Sequence, residues 1–444
     1  MSQYGTDMTP SNISDISAAR ICNTCGACVG VCPADAIKFV ETAAGHCMPE
    51  VDDGRCNDCG LCSRVCPSLT FGNDLFRRMP KDAFAGVALE TCVGRATNEA
   101  LFSNSSSGGV VSGILAHALQ EGRIQGAVTV SMSYGCPPRP VIRIARTEAE
   151  LLDSQKSKYC PIPLLTFLKQ LPQIEGRVGV VALPCHIHGL HNVMDRFPWI
   201  REKIGFTIGL ICDRILTYAA LDYLLASSGL PKGTNATFHY RDKSVSGWPG
   251  DVHVLSDGGR SCVMPSWNRT RIKDYFTPAR CRICFDKMNV FSDITVGDPH
   301  GINGADLVSG ESVVVSRTQL GKDIVSAARQ QTAIKTRAIK YEEVLQGQGI
   351  KYKRAHWRAY MEAWERLGSP LPNYWKKVKP QTPAVPLIGG PKRDLLHSFR
   401  LGRCSSREAV FAGVGKALRR RQLERRLRPY LRIPRGVLHK LLLL

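Results

Sequence analysis

A repeated run of cysteines near the N-terminus constrains this chain more than any other feature. Two runs share the spacing C-x2-C-x2-C-x3-C-P, and the second follows the first at a constant offset. The cysteines are Cys22, Cys25, Cys28 and Cys32 in the first run, and Cys56, Cys59, Cys62 and Cys66 in the second. A repeat this regular predicts that the N-terminal region folds around its cysteine side chains.

The spacing is that of bacterial two-cluster ferredoxins, in which the fourth cysteine of each run ligates the other 4Fe-4S cluster. We therefore predict two ligand sets that cross the runs. The first set is Cys22, Cys25, Cys28 and Cys66, and the second set is Cys56, Cys59, Cys62 and Cys32. The alternatives are buried free thiols or two zinc sites, but zinc sites normally combine separated cysteine pairs. Cys47 lies outside the repeat and is expected to be a small core residue.

Residues 18–75 are thus predicted to form an α+β ferredoxin-like module with two 4Fe-4S clusters. Segments 36–40 and 47–51 are predicted to be its antiparallel strands. Residues 1–17 form a polar extension without a signal-peptide pattern. No apolar run reaches the roughly 18 residues of a membrane span. We expect a cytoplasmic protein whose 18 cysteines are kept reduced.

From residue 84 onward, short β-branched runs alternate with helical stretches. A chain of 444 residues with 43% hydrophobic content is long enough for a large core. The predicted strands are 126–132, 178–183, 204–212, 293–297 and 312–317, and the predicted helices are 109–120, 163–171, 216–227 and 321–331. This alternation predicts an α/β domain. Segments 252–256 and 261–265 are predicted to form a hairpin inserted in it.

Four further cysteines are candidates for a metal site: Cys185, Cys212, Cys281 and Cys284. The first two follow predicted strands, at the strand ends where α/β folds place their sites. The other two form a C-x2-C pair. Spacing alone leaves a metal site and a group of buried thiols equally open.

Several short motifs occur along the same part of the chain. They are SGGVVSGIL at 107–115, ALQEG at 118–122, SKY at 157–159, LPC at 183–185, LIC at 210–212, CRIC at 281–284 and SDITVGD at 292–298. In this order they resemble the family of coenzyme F-420 hydrogenase and dehydrogenase beta subunits, over residues 84–350. The resemblance implies an FAD-binding α/β domain with its own 4Fe-4S cluster beside the flavin. It also implies electron transfer between iron-sulfur centres and a hydride-accepting substrate.

By this resemblance the four further cysteines fall on the family's own four cysteines, and we call them the third set. The FAD expectation rests on the resemblance as well, because no G-x-G-x-x-G fingerprint follows a strand. Residues 107–109 precede a predicted helix, whose free backbone amides suit a phosphate; the alternative is an ordinary serine cap with a tight turn. The expected flavin contacts are Ser107, Gly108, Gly109, Lys158, Tyr159, Gly297 and Asp298.

His186 and His188 follow a ligand of the third set. At a spacing of two residues on a helix, their side chains point apart. We expect both to be polar residues with their own hydrogen-bond partners, the alternative being a proton relay by His186 near the flavin. The sequence assigns no catalytic residue.

The C-terminal part of the chain is set apart by its composition. Residues 351–399 are predicted to be a helix and a Pro-rich linker, and residues 400–444 a basic tail in which Glu408 and Glu424 are the only acids. The net charge of +21 is concentrated there. Segment 416–428 suits a basic amphipathic helix. A solvated extension, an anionic membrane surface and an acidic partner remain open; a specific nucleic acid is not expected, because no recognition module is present.

These observations together predict an α+β ferredoxin-like module, an α/β flavin-binding domain and a basic, partly helical or disordered C-terminal tail. We expect an iron-sulfur flavoprotein oxidoreductase with two 4Fe-4S clusters in the module, a third 4Fe-4S cluster and FAD. Its partner would be an electron donor or acceptor protein such as ferredoxin. The alternative is an electron-transfer subunit without a substrate of its own, serving a partner enzyme. The sequence does not select a substrate.

Overall fold

The computed structural model describes residues 13–19, 21–68, 70–383 and 390–431, with side chains as far as residue 423. The helices are α1 (Ser14–Ala18), α2 (Ala27–Val31), α3 (Leu61–Arg64), α4 (Asn73–Arg78), α5 (Glu99–Ser103), α6 (Val110–Gln120), α7 (Glu148–Asp153), α8 (Pro184–Arg196), α9 (Pro198–Lys203), α10 (Tyr218–Ser227), α11 (Trp267–Phe276), α12 (Ala279–Arg282), α13 (Gln319–Gln330), α14 (Tyr341–Gly347), α15 (Ile350–Arg366), α16 (Trp375–Val378), α17 (Gly390–Leu401) and α18 (Arg407–Leu431). Short 3-10 helices span Leu164–Lys169, Leu171–Gln173 and Lys379–Gln381.

The strands are β1 (Ile37–Glu41), β2 (Cys47–Val51), β3 (Glu90–Ala96), β4 (Gly126–Met132), β5 (Pro140–Ala145), β6 (Val178–Ala182), β7 (Ile204–Leu210), β8 (Ala236–Asp242), β9 (Asp251–Ser256), β10 (Ser261–Met264), β11 (Ile294–Gly297), β12 (Ser312–Ser316) and β13 (Ile334–Ala338).

The N-terminal module is built on a two-stranded hairpin. β1 and β2 pair antiparallel with Ile37 opposite Val51, which confirms the predicted hairpin. Helices α2 and α3 begin after Gly26 and Gly60, whose φ angles of 89° and 66° favour glycine. A Cβ on Gly26 would lie 2.4 Å from the carbonyl oxygen of Pro163. The first cysteine helix of the module therefore packs directly against the rest of the chain.

The main sheet has eight strands in the order β13-β3-β12-β11-β7-β6-β4-β5. Its centre, β11-β7-β6-β4, is parallel, and the flanking pairs are antiparallel. The five predicted strands are all present, and the predicted helices at 109–120, 216–227 and 321–331 are α6, α10 and α13, whereas the predicted helix at 163–171 is a 3-10 helix. β3 escapes sequence patterning because Gly94 and Arg95 interrupt its apolar run. The prediction of a mixed α/β core is confirmed.

A smaller antiparallel sheet, β10-β9-β8, lies beside the main sheet. The predicted hairpin is its β9-β10 pair, with Ser261 opposite Leu255. The chain then enters α11 and α12, and α12 carries the first cysteine of the C-x2-C pair. The small sheet therefore leads along the chain directly to the cysteine pair at 281 and 284.

The helix predicted within 351–399 is α15, but the Pro-rich part after it is packed and is not an extended linker as far as residue 383. α15 buries Trp357 and Trp364 fully, and the Trp357 indole N–H donates to the Ile283 carbonyl at 2.8 Å. Asn373 exchanges two hydrogen bonds with the backbone of Phe71 in the module, at 2.8 and 3.0 Å. The proline content suggested an extended segment, but large apolar side chains between the prolines pack into the core. Residues 384–389 lie outside the described residues.

The basic tail also begins inside the folded core. α18 shows that the tail is helical in its described part, and the buried Val410 and Val414 pack its beginning against the core. Arg407 pairs with Asp222 at 2.8 Å and with Glu41 of the module. Among the helices of the described ranges, none combines the length and apolar character needed to cross a bilayer.

Asp74 in α4 fastens the module to α8. Its buried carboxylate lies 2.9 Å from His191 Nδ1 and accepts a hydrogen bond from Arg201 at 3.1 Å. These two partners hold the pKa of Asp74 well below its usual value, against the effect of burial. Next to it, Asn192 accepts a hydrogen bond from the Gly72 N–H at 2.8 Å. We call Gly72, Asp74, His191 and Asn192 the module joint.

Candidate functional site

The first set of cysteines lies at the interface between module and core. Burial raises the pKa of Cys22 and Cys28, and the thiols of Cys25 and Cys66 raise both further. The Thr24 N–H points at the Cys22 sulfur, 3.2 Å away. The structure thus brings Cys66 of the second run to the three cysteines of the first, in the crossed arrangement that the spacing predicts.

The second set lies at the outer end of the module. One cavity is lined by all of its members, Cys32, Cys56, Cys59 and Cys62, together with Asn57 and Asp58. The loop 52–55 and the side chains of Asn57 and Asp58 are exposed. Burial raises the pKa of Cys62, and the Ala36 N–H lies 3.4 Å from the Cys32 sulfur. The second set is therefore the more exposed of the two module sets.

The third set is assembled from separate places in the core. β6 and β7 are adjacent and parallel, so Cys185 at the start of α8 and Cys212 just after β7 lie at the same sheet edge. α12 and the residues after it bring Cys281 and Cys284 to this edge. The Cys212 N–H donates to the Lys287 carbonyl at 2.9 Å, which ties the two segments together.

Asn289 locks the edge that carries the third set. Its side-chain amide donates to the Ala182 carbonyl at 2.9 Å and the Leu210 carbonyl at 3.2 Å, at the ends of β6 and β7. A Cβ on Gly209 would lie 2.4 Å from the Asn289 side chain. Glycine at 209 therefore gives this amide the space to bridge two strands.

Electrostatic interactions indicate that the thiols of the third set are neighbours. Burial raises the pKa of Cys185, and the charges of Cys212, Cys281 and Cys284 raise it further. Positive charge opposes this effect, because Lys353 lowers the pKa of Cys212 and of Cys284. Four thiolates around an iron-sulfur core leave a net negative charge, which nearby cations stabilise.

The first and third sets adjoin each other. The Cys25 thiol raises the pKa of Cys185, and a Cβ on Gly189 would lie 3.3 Å from the Cys25 sulfur. The Cys185 sulfur lies 4.0 Å from the Asn23 carbonyl oxygen. Helix α8 therefore carries a ligand of the third set at its start and covers the first set one turn later.

The chemistry of the donors fits 4Fe-4S clusters at all three sets. Each set offers four thiols, and a cubane binds each thiolate to a different iron. In the described ranges, no three His, Cys, Asp or Glu side chains form a group that would hold a single metal ion. Cys47, in β2, belongs to none of the three sets; it is buried, and its pKa rises to about 12, chiefly because of that burial.

The expected flavin contacts converge on Arg241 at the end of β8. Arg241 donates to both carboxylate oxygens of Asp298, at 2.7 and 3.1 Å, and to the Ser106 carbonyl at 3.1 Å. Its guanidinium lies 3.5 Å from the hydroxyl of Tyr159. The structure thus brings together the loops at 106–109, 157–159 and 297–298.

The residues of the first of these loops have packing roles. The Gly108 N–H donates to Ser312 Oγ at 3.0 Å, and Ser107 donates its hydroxyl to the Glu311 carbonyl. Gly109, not Ser107, caps α6; it has a φ of 73°, and no side chain caps the helix. The alternative of a serine cap is therefore wrong, and the first N–H groups of α6 are left without a side-chain acceptor.

The other expected flavin contacts, Lys158, Tyr159 and Gly297, each have a different kind of neighbour in the protein. Lys158 donates to the Ser154 and Gln155 carbonyls at 2.6 and 2.5 Å, and burial lowers its pKa to about 7. Tyr159 packs edge-on against Tyr240, with ring centroids 5.6 Å apart. Gly297 is required for packing, since a Cβ there would lie 2.5 Å from the Ile211 side chain.

The first two histidines of α8 have separate partners, as their spacing predicts. His186 Nε2 lies 3.0 Å from the Ile162 carbonyl oxygen, and burial lowers its pKa to about 4. His188 Nε2 lies 2.9 Å from the carboxylate of buried Asp286. Both contacts stabilise the core beside the third set.

Sequence reasoning did not identify Arg241, Arg269 or Lys243 as site residues. Lys243 donates to the Ser107 and Ser309 carbonyls at 2.7 and 2.8 Å. The guanidinium carbon of Arg269 lies 5.0 Å from the centre of the Tyr159 ring. The sequence did contain one indication of such residues, the charged triplet at 241–243 at the end of β8. The fold buries all three of these side chains.

A ferredoxin module with two crossed cysteine sets, fixed to a mixed α/β core, defines an iron-sulfur electron-transfer protein. The family models agree. The coenzyme F420 hydrogenase/dehydrogenase beta subunit models match residues 91–169 (N-terminal part) and 175–342 (C-terminal part), and the 4Fe-4S dicluster domain model matches residues 21–69. The chain belongs to the family of coenzyme F420 hydrogenase/dehydrogenase beta subunits and carries an N-terminal 4Fe-4S dicluster domain, which confirms the resemblance.

Two relatives of this chain are beta subunits of coenzyme F420 hydrogenases. The coenzyme F420 hydrogenase subunit beta of Methanosarcina barkeri is 25% identical over 291 residues, covering 62% of this chain and 90% of the relative. The coenzyme F420 hydrogenase subunit beta of Methanothermobacter thermautotrophicus is 26% identical over 284 residues, covering 60% and 90%. A chain from the xenon-derivatized F420-reducing NiFe hydrogenase complex of Methanosarcina barkeri has a TM-score of 0.51 at 21% identity, over 67% of this chain and 100% of that chain. This last similarity supports the fold.

Proposed function

We propose that this protein is an iron-sulfur flavoprotein oxidoreductase that passes electrons between its ferredoxin module and FAD to reduce or oxidise a substrate. The observation that carries the proposal is the contact between the first and third sets. Cys25 and Cys185 come from opposite sides of the module interface, and the Cys25 thiol raises the pKa of Cys185. This adjacency supports a continuous path from the exposed second set to the core.

The twelve cysteines of the three sets would hold three 4Fe-4S clusters, each with four thiolates. The clusters, when bound, carry single electrons. The chain's own residues hold the thiols in place through the module joint, the Asn289 bridge and the cations beside the third set.

The flavin would lie next to the third set. β11 and β7 are neighbours, and the Ile211 N–H donates to the Val296 carbonyl at 2.9 Å, so Asp298 and Cys212 follow paired segments. The residues that would hold FAD are Ser107, Gly108, Gly109, Lys158, Tyr159, Gly297 and Asp298. FAD, when bound, interconverts single electrons and a hydride. Arg241 would orient the three loops, and Lys158 would place a titratable cation among them.

A partner enzyme is the second candidate destination for the electrons. The relatives named above are hydrogenase subunits, which favours a chain that serves a partner. An electron carrier such as ferredoxin would meet the exposed loop over the second set. A cytoplasmic location belongs to the same proposal, because the thiols need a reducing compartment.

The basic tail would bind an anionic membrane surface. Leu418 and Leu423 flank Arg419, Arg420 and Arg421, and Leu423 is 44% exposed. Exposed arginines with interleaved leucines suit the interface of an anionic bilayer. Further arginines and leucines follow in the sequence as far as residue 444.

The test is the composition and activity of the chain after anaerobic purification. We expect about twelve iron atoms and one FAD per chain, because three cubanes carry four irons each. About eight irons would remove the third cluster, and zinc in the third set would contradict it equally. Turnover of a small molecule with an artificial electron donor would support the enzyme; turnover only with an added protein would support the alternative, a chain that serves a partner.

A further inference from the structure

Arg269, on the first turn of α11, has a half-buried side chain with unused bonding capacity. Its Nε atom is buried without a hydrogen-bond partner, and in the described part of the chain the guanidinium forms neither a hydrogen bond nor an ion pair. What it does contact is an aromatic ring, since its central carbon lies 5.0 Å from the centre of Tyr159. A buried N–H group without a partner is costly, because its lost hydration is not replaced.

The nearest acids do not offset this cost. Asp298 is already held by Arg241, which takes both of its carboxylate oxygens. Arg241 is also satisfied by the Pro249 carbonyl at 2.7 Å. Burial lowers the pKa of Arg269, and the positive charge of Arg241 lowers it further. Arg241 therefore takes both oxygens of Asp298, and Arg269 has no carboxylate partner among the described residues.

We propose that Arg269 binds a phosphate-type oxyanion at the ring of Tyr159. The planar guanidinium presents paired N–H donors that match two oxygens of a phosphate, and a half-buried site strengthens such a charge-assisted pair. The inference rests on the proposed function in one respect: Tyr159 is a proposed flavin contact. Two sources carry this chemistry there, the pyrophosphate of FAD and an anionic group of the substrate.

Arg269 is also close in sequence to the third set of cysteines. α11 begins two residues before Arg269 and runs directly into α12, which carries Cys281. An anion at Arg269 would thus hold the start of α11, and with it the segment that leads to the third set. This predicts that anion binding and iron retention support each other.

The test compares Arg269→Gln with Arg269→Lys and with a matched control, Arg271→Gln. Arg271 lies on the same helix but is exposed, with its guanidinium over the Trp267 ring at 4.6 Å. For each full-length variant, purified anaerobically, we would measure the affinities for FAD, riboflavin and inorganic pyrophosphate. Circular dichroism identifies any variant that fails to fold, and iron content tests the predicted coupling between the anion and the third set.

We expect Arg269→Gln to weaken FAD binding about tenfold to a hundredfold, the range of a lost charge-assisted hydrogen-bonded pair. Riboflavin, which has no phosphate, should bind unchanged, Arg269→Lys should fall in between, and Arg271→Gln should match the wild type. That pattern assigns the oxyanion to FAD. Unchanged FAD affinity with lost pyrophosphate binding would assign it to the substrate instead.

The inference is overturned if folded Arg269→Gln binds FAD and pyrophosphate as Arg271→Gln does. It is also overturned if pyrophosphate does not bind the wild type and FAD binds no better than riboflavin. A wild-type chain that binds pyrophosphate through Arg269 but takes no flavin would instead contradict the proposed function alone. The two proposals therefore fail on different measurements.

Discussion

The cysteine sites of the module and of the core are built in opposite ways. In the module, three thiols of each set come from one run, on and just before the short helices that follow Gly26 and Gly60, and the fourth comes from the other run. In the core, the third set is drawn from the start of α8, the end of β7 and the segment around α12. The first kind of site is encoded in local spacing, whereas the second exists only after the parallel sheet has formed.

This difference predicts that the two kinds of site fail differently when a ligand is removed. Cys59→Ser should cost a cluster of the module and leave FAD bound and reducible by a hydride donor. Cys281→Ser should lose about four irons and weaken FAD retention, because metal binding at an assembled site is coupled to folding. The measurement is anaerobic: iron content, FAD content and the rate of flavin reduction from a reduced viologen.

Cys59→Ser is the matched control for Cys281→Ser, since both replace one thiolate of a proposed cubane. If Cys281→Ser keeps full iron, full FAD and a wild-type transfer rate, Cys281 is a buried thiol and the path through the third set is wrong. Equal loss of FAD in both variants would erase the distinction between local and assembled sites.

The module joint offers a second way to sharpen the comparison. Asp74→Asn removes the charge that pairs with Arg201 and contacts His191, so we expect a loss of about 3 kcal/mol in unfolding free energy. The module clusters should still form, because their ligands are local. Denaturant unfolding followed by cluster absorbance measures the loss, and Asp153→Asn at the exposed end of α7 is the control.

The effect of Asp74→Asn should depend on pH in a defined direction. The folded pKa of Asp74 is depressed, so its stabilisation is fully present above the unfolded pKa of about 3.9 and is lost as the pH falls below it. The difference between wild type and variant should therefore be constant from about pH 5 to 8. A difference that grows as the pH falls would contradict this assignment.

The smallest expected effects concern the tail. Deleting residues 416–444 should leave iron, FAD and flavin reduction unchanged but abolish binding to vesicles of phosphatidylglycerol and phosphatidylcholine. Arg407→Ala should cost only about 1 kcal/mol, because its ion pairs are partly exposed. Binding to these vesicles that survives the deletion would refute the membrane proposal, and loss of FAD would place the deleted segment in the folded core.

The ferredoxin module was predictable from sequence because its ligands repeat at fixed spacing. The strands β4, β6, β7, β11 and β12 were predictable because each is a short β-branched, mostly apolar run. The convergence of the third set was not, since spacing along the chain says nothing about which strands become neighbours. Arg241 and Arg269 were missed because buried charges resemble surface charges in a sequence.

The C-terminal correction has the same origin. Trp357 and Trp364 sit in a helix with many charged residues, and Trp375 lies between prolines. Composition therefore suggested a linker around Trp375, although all three rings are buried in the folded core. The polar residues of such a segment face solvent, while its few large apolar side chains are buried by tertiary packing.

The module joint also determines how the module can work in time. A carrier domain on a flexible tether must swing between donor and acceptor, and its turnover slows as the solvent becomes more viscous. Here Asp74 and Asn192 fasten the module to α8, and Glu41 fastens it again through Arg139 at 2.9 Å. The gap between Cys25 and Cys185 is thus fixed by the fold, and transfer across it should proceed at the same rate in glycerol as in water.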